Sequence, residues 1–305
     1  MHKKIDNRKD YIHNHFVPEF YLKNFTFDGN RCWIIRNGKI FSNSISTIAY
    51  EDYLNSHEYE IFLGKNYEKI FSECINQMLL ETRLYNLGLY PALYSGCWDF
   101  LFDFVAFMWS HNKYTREMVA QEISDNLKQN PKFSSVNHDI RCNDFYAQDV
   151  FESIRNAIAG SRAVIRVNNS KEFGFITSDN PCQIARVNED LLRNINSPEV
   201  FEKHSNFANN VKGNYNVQVL EGTKIVGGKI NINLDDDSIL AMPLTHDIYL
   251  MMFKNQDAAE FVMKETSFLK NDIRYACNQF TSANKKYECY SKIKDSLSVP
   301  IAWPV

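Results

Sequence analysis

Residues 99–109 read DFLFDFVAFMW, a run that is apolar on nearly every side. A helix of that kind has no face to offer water, so other elements must wrap it and it belongs at the centre of a core. The stretch from Phe100 to Trp109 is too short to cross a bilayer and carries Asp103 within it. The helix that contains it is expected over residues 95–129, with Pro131 just beyond its end. Material to wrap it is plentiful. Hydrophobic residues make up 44% of the 305, with 22 Phe and 16 Tyr, which excludes a disordered chain. Gly (11) and Pro (8) are too scarce for a collagen-like or linker-rich protein.

Around that helix the periodicity changes along the chain. A short helix is expected over 18–25, then a β-hairpin over 31–41 whose Asn37-Gly38 suits a type I′ turn. Apolar residues at three-and-four spacing predict a helix over 59–86, and another is expected over 143–159, closed by Gly160. Strands follow at 163–167, 173–177, 183–187, 224–233, 239–243 and 248–253, with Asn168-Asn169 turning the first two against each other. Helices at 257–264 and 267–284 and a strand at 287–290 complete the pattern. The fold class is α+β: a helical core with an N-terminal β-hairpin and a C-terminal, mainly antiparallel sheet. The expected organisation is a flexible arm at 1–12, one domain over 13–292 with a polar insertion at 188–215, and a C-terminal tail at 293–305.

The net charge of −3 gives no global signature for nucleic acid, although a local basic cleft is compatible with it. The seven cysteines form no CxxC pair, and the opening MHKKIDNRKDYIH lacks the apolar stretch of a secretory signal. The expectation is a cytoplasmic protein with reduced cysteines packed as small hydrophobes and no membrane partner.

Residues 13–25 read HNHFVPEFYLKNF. Pro18 holds Val17 extended and suits the first position of a helix, so His15 lies just before a stiff loop-to-helix junction. With IAYE at 48–51, the 103–116 segment DFVAFMWSHNKYTR, ITSDNP at 176–181, MPLTHDIYL at 242–250 and Asn278, the block resembles the domain of unknown function 4238 family over about residues 13–290. That resemblance implies a domain definition without an established activity. Its members are mostly bacterial, and proteins of this broad kind sit among mobile and defence genes.

His15, Glu51, Asp179 and Asn278 each lie inside a resembling block. Converging, they would supply a general base, two carboxylates and an orienting amide, with Tyr21, Arg116 and Asn180 positioning substrate. Glu51 and Asp179 would hold Mg²⁺ or Mn²⁺, and Arg116 would face a phosphate. Each has a structural alternative. His15 would pin the N-terminal helix, Asp179 would cap backbone N–H groups, Arg116 would bridge to Glu68 or Glu73, and Asn278 would cross-link the core. Lys285-Lys286-Tyr287 interleaves cations with an aromatic, as base-stacking surfaces do. Two functions follow: a phosphodiester-cleaving, nuclease-like effector in phage defence or as a toxin, or a non-catalytic subunit binding a nucleotide, nucleic acid or partner protein.

Overall fold

A computed structural model describes residues 13–52, 54–55, 57–86, 100–117, 121, 144–187, 201–203, 218–220, 224–227, 234, 236, 238–264, 277–278, 281–282 and 285–298. The arm at 1–12, most of the insertion at 188–215, the strand end at 228–233 and most of the 267–284 helix lie outside them.

The described chain opens on β1 (His13–His15), turns at Val17-Pro18 and enters α1 (Glu19–Leu22), which tightens into a 3-10 turn at Lys23–Phe25. Pro18 sits at φ −58° and ψ 140° directly before the helix, where its missing N–H costs nothing. The expected hairpin forms from β2 (Arg31–Arg36) and β3 (Lys39–Ser44), with Asn37 and Gly38 at φ 50° and 73°. β4 (Tyr50–Asp52) returns to pair antiparallel with β1, His15 against Tyr50.

The helical stretch begins with α2 (His57–Leu63) and continues through a π-helical turn, Gly64–Glu68, into α3 (Lys69–Asn86). The π turn swings the Tyr67 ring to within 6 Å of the Phe71, Phe107 and Phe151 rings. At the far end of α3, Arg83 makes two 2.8 Å bonds to the Asp247 carboxylate. Burial opposes ionisation of Asp247, but Arg83 and Thr245 outweigh it and hold the group down at about 2.

α4 (Leu101–His111) is the central helix, and every side chain from Phe104 to His111 is buried. It is shorter than the sequence predicts. The helix stops at Asn112, whose ψ of 130° is extended, and one further turn begins behind it. Asn112 ends one helix and caps the next: its Oδ1 accepts from Tyr114 N at 3.0 Å and its carbonyl from Arg116 N at 3.1 Å. The expected extensions at 95–99 and 122–129 lie outside the described residues. The helix Asp144–Ile158 packs on α4 and runs out at Gly160, at φ 76°.

Among the described residues nine further strands follow: β5 (Arg162–Val167), β6 (Thr177–Ser178), β7 (Gln183–Val187), β8 (Phe201–Lys203), β9 (Gln218–Leu220), β10 (Lys224–Gly227), β11 (Ser238–Pro243), β12 (Ile248–Phe253) and β13 (Glu288–Ser291). β9 and β10 pair with each other, and a five-stranded antiparallel sheet runs β5-β12-β11-β7-β8. β11 and β12 are buried along their whole length, as their continuous apolar runs require. A four-stranded sheet runs β3-β2-β13-β6, so the N-terminal hairpin is one edge of a sheet completed by late strands. Along β2, Cys32 and Ile34 enter the main core while Trp33 and Ile35 pack on Ile176, Cys289 and Leu297 behind it.

Two further expectations change. Residues 163–167 and 173–177 do not form a hairpin. β5 pairs with β12, and Thr177, at the end of the second segment, pairs with Tyr290 of β13. Asn168 does not turn them back, because its N–H bonds Asp247 O and its side chain holds Phe173 O. The start of the expected tail is part of the domain, since Lys294–Ser298 forms a 3-10 turn in which Ser296 Oγ accepts from Gly174 N at 2.9 Å and Leu297 is buried.

Candidate functional site

Residues 111–116, at the break after α4, touch three of the seven residues singled out in the sequence and include a fourth, Arg116. His111 Nε2 lies 2.7 Å from the carbonyl of His15. Burial and the Arg116 charge push the His111 imidazole down to about 3, so it is neutral and Nε2–H is the donor. Asn112 Nδ2 donates to Asp179 O at 2.8 Å, and the Tyr114 hydroxyl donates to Asp179 Oδ2 at 3.2 Å. Lys113 Nζ stands 3.2 Å from Glu51 Oε2. Arg116 is buried in this segment, with Nη1 donating to Leu54 O at 3.2 Å.

On one side of this segment is a cleft of about 520 Å³. Its walls include Arg36 from the hairpin, Tyr50 from β4, Lys113 and Tyr114, and Asp179, Tyr287 and Glu288 from the late sheet. Glu288 is ion-paired to Arg36 and accepts from the Tyr290 hydroxyl at 2.9 Å. Lys113 Nζ lies 4.8 Å from the centre of the Phe16 ring and 5.1 Å from that of Tyr114, and Lys286 Nζ lies 5.8 Å from Tyr114. Tyr287 is 64% exposed and Tyr50 38%.

Asp179 is the more deeply buried of the two acids in the cleft wall, 2% exposed against 8% for Glu288. Its Oδ1 accepts from Lys286 N at 2.9 Å and its Oδ2 from Tyr287 N at 2.8 Å. Burial nevertheless lifts its carboxyl above the ordinary range. Ala49, also in the wall, adopts φ 53°, a left-handed conformation that costs a residue with a Cβ about 1–2 kcal/mol. The strain aims its carbonyl at two donors, Phe16 N at 2.9 Å and Val17 N at 3.4 Å. Ala49→Gly is expected to gain about 1 kcal/mol of stability, read as a higher urea midpoint.

On the other side lies a second polar group. His15 Nε2 is 3.1 Å from Glu19 Oε1, and burial lowers the imidazole below its ordinary value while Glu19 pulls it back up. Glu68, on the π turn, is pushed up to about 7 by burial and by the charges of Glu60 and Glu19. Glu60 is bonded by the Asn55 amide. Tyr50 links the two sides, its ring centroid 6.0 Å from that of His15.

The other singled-out residues are engaged in the framework. The Tyr21 hydroxyl is buried, donating to Pro243 O at 2.5 Å with Thr177 Oγ1 at 2.8 Å. Asn180 closes a turn on Ser178, with N···Oγ at 3.2 Å and O···Oγ at 2.9 Å. Asn278 accepts from Ile176 N at 3.0 Å and donates to Gly174 O at 2.9 Å, fully buried. Glu51 faces Lys113 and Asp179 faces three donors, so the two carboxylates named for Mg²⁺ or Mn²⁺ are not directed at a common point by these contacts. Among the described residues no group of three or more His, Cys, Asp or Glu is assembled as a metal site.

The sequence reading missed Arg36, Asn112, Lys113, Tyr114 and Glu288 as site residues, and names Glu68 only as a bridging partner for Arg116. A signal existed for two of them: an asparagine after an apolar helix is a cap, and a glutamate amid apolar helical spacing is placed for burial.

Residues 13–86 match a family model described as Protein of unknown function (DUF4238). Over that segment the chain is similar to the DUF4238 family. The DUF4238 segment supplies His15, Tyr21, Glu51 and the Ile48–Tyr50 wall of the cleft. The likeness read through Asp179 and Asn278 lies beyond the match. No curated protein and no solved structure matches the chain. No helix among the described residues is long and apolar enough to cross a membrane.

Proposed function

We propose that the cleft binds the rings and phosphates of a nucleotide or nucleic acid without cleaving them. The observation that carries this reading is the meeting of two exposed tyrosine rings, Tyr50 and Tyr287, with Arg36 and Lys113 around one cavity, while Lys286 stands over the Tyr114 ring of its wall. Aromatic faces accept bases and the cations face phosphate oxygens. The cavity volume is that of a small-molecule site. Arg36 and Lys113 are held by Glu288 and Glu51, so a phosphate has to compete for them, and binding is modest and sensitive to salt.

The test is a titration of fluorescein-labelled oligouridylate, oligothymidylate and ATP by fluorescence anisotropy. Two or three phosphate contacts predict a log-affinity slope of roughly −1.4 to −2 against log salt. Tyr287→Ala is expected to lose about 1–3 kcal/mol, a roughly five- to 150-fold weakening. No binding by wild type, or equal binding by the variant, rejects the reading.

One observation favours phosphodiester cleavage instead. Glu68 at about 7 beside the His15–Glu19 pair is a carboxylate suited to taking a proton near neutrality. Incubation of labelled DNA and RNA with Mg²⁺ or Mn²⁺ decides it. Cleavage by wild type that is lost in both His15→Ala and Glu68→Gln would replace the binding reading with an enzymatic one.

A further inference from the structure

Building on the binding reading, we propose that the ligand is single-stranded nucleic acid, with one unpaired base stacked on Tyr287, and that Asp179 is the positioning residue that holds Tyr287 in place for it.

β6 and β13 pair for only two residues, Ser178 with Cys289 and Thr177 with Tyr290. One further bond, Asp179 N to Glu288 O at 3.2 Å, closes the ladder. Beyond it the backbone of residues 286–287 has no β6 carbonyl to bond. The Asp179 carboxylate takes over that role, one oxygen for Lys286 N and the other for Tyr287 N. It does so while 2% exposed, where a lost acceptor is not replaced by water.

The same carboxylate fixes the neighbouring ring. Tyr114 donates to Oδ2, and its ring centroid lies 6.2 Å from that of Tyr287. Lys286 is set over Tyr114 by the same short segment. Asp179 thus sets two rings and a cation without presenting a free oxygen of its own.

Strandedness follows from exposure. A base inside a duplex is already stacked on both faces and has none to give to Tyr287. Two exposed rings, Tyr50 and Tyr287, line one cleft. Successive bases of one strand cover both, whereas a mononucleotide brings a single base.

The experiment uses the full chain with a fluorescein-labelled uridine octanucleotide, uridine monophosphate and a duplex of matched length. The expected order of affinity is octanucleotide first, with monophosphate and duplex at least tenfold weaker. Asp179→Asn keeps one acceptor oxygen of two and is expected to weaken octanucleotide binding about tenfold. In a Tyr287→Ala background the same change is expected to alter affinity less than twofold, because the platform it supports is gone. A loss of equal size in both backgrounds, or none in either, overturns the positioning role. Equal affinity for the monophosphate or the duplex overturns the strandedness. If wild type binds none of the three, the binding reading itself falls, a result distinct from binding that ignores Asp179. Hydrogen exchange on wild type needs no variant: the Lys286 and Tyr287 amides are expected to be protected, and exchange at free-peptide rates overturns the latch.

Discussion

Replacing Glu68 by glutamine is expected to leave stability nearly unchanged at pH 4.5 and to raise it by about 3 kcal/mol above pH 7. In the unfolded chain this carboxyl titrates near 4.5, and in the fold it titrates at about 7. Between those values the folded state holds a proton that the unfolded state has released, so wild type loses stability across that window as pH rises. Two and a half pH units correspond to roughly 3 kcal/mol. Glutamine keeps the shape and carries no charge to bury. His111 and His15 run in the opposite direction. Both are lowered in the fold, so their contribution grows as pH rises toward 6.5 and offsets part of the Glu68 loss. The difference between variant and wild type, from urea unfolding at pH 4.5, 6, 7 and 8, therefore isolates Glu68. A constant difference across the series would mean that Glu68 titrates like a free glutamate.

Asn278→Ala is expected to cost about 4 kcal/mol of folding stability. The amide is fully buried and satisfies one backbone donor, Ile176 N, and one acceptor, Gly174 O, more than a hundred residues away in the chain. Removing it leaves both without a partner in the interior, at about 1–3 kcal/mol each, and opens a small void. Asn278→Leu fills the void but restores neither bond, so it is expected to recover little. The measurement is again a urea midpoint, accompanied by octanucleotide affinity well below that midpoint. A variant as stable as wild type but impaired in binding would return Asn278 to the substrate-positioning role its sequence context suggests.

The parts of the fold written in local chemistry were legible. Asn37-Gly38 specifies its turn, Pro18 starts its helix, and the apolar run at 100–109 finds the centre of the core. What escaped depends on partners distant in the chain. Residues 163–167 and 173–177 look like a hairpin because they are adjacent and β-rich, but pairing is decided by which edge is free, and β12 and β13 supply better ones. The break at Asn112 was hidden by the helical periodicity on both sides of it. At the site, His15, Glu51 and Asp179 do gather around residues 111–116, the segment that holds Arg116, yet as separate attachments of it. Residue type marks Asp179 as a turn-former or a ligand. Only the fold shows that its oxygens serve a backbone segment over a hundred residues downstream.

The position of β13 has a consequence for the chain as it leaves the ribosome. The N-terminal hairpin is made early, but the edge of β2 that receives Glu288–Ser291 stays unpaired until those residues have been synthesised. An open strand edge invites pairing with other chains. Any product that stops between the DUF4238 segment and residue 288 carries that edge exposed and lacks the Tyr287–Glu288 wall of the cleft. Such truncated chains would be sticky and would lack part of the proposed binding cleft, so premature termination would be a larger hazard for this protein than most single substitutions on its surface.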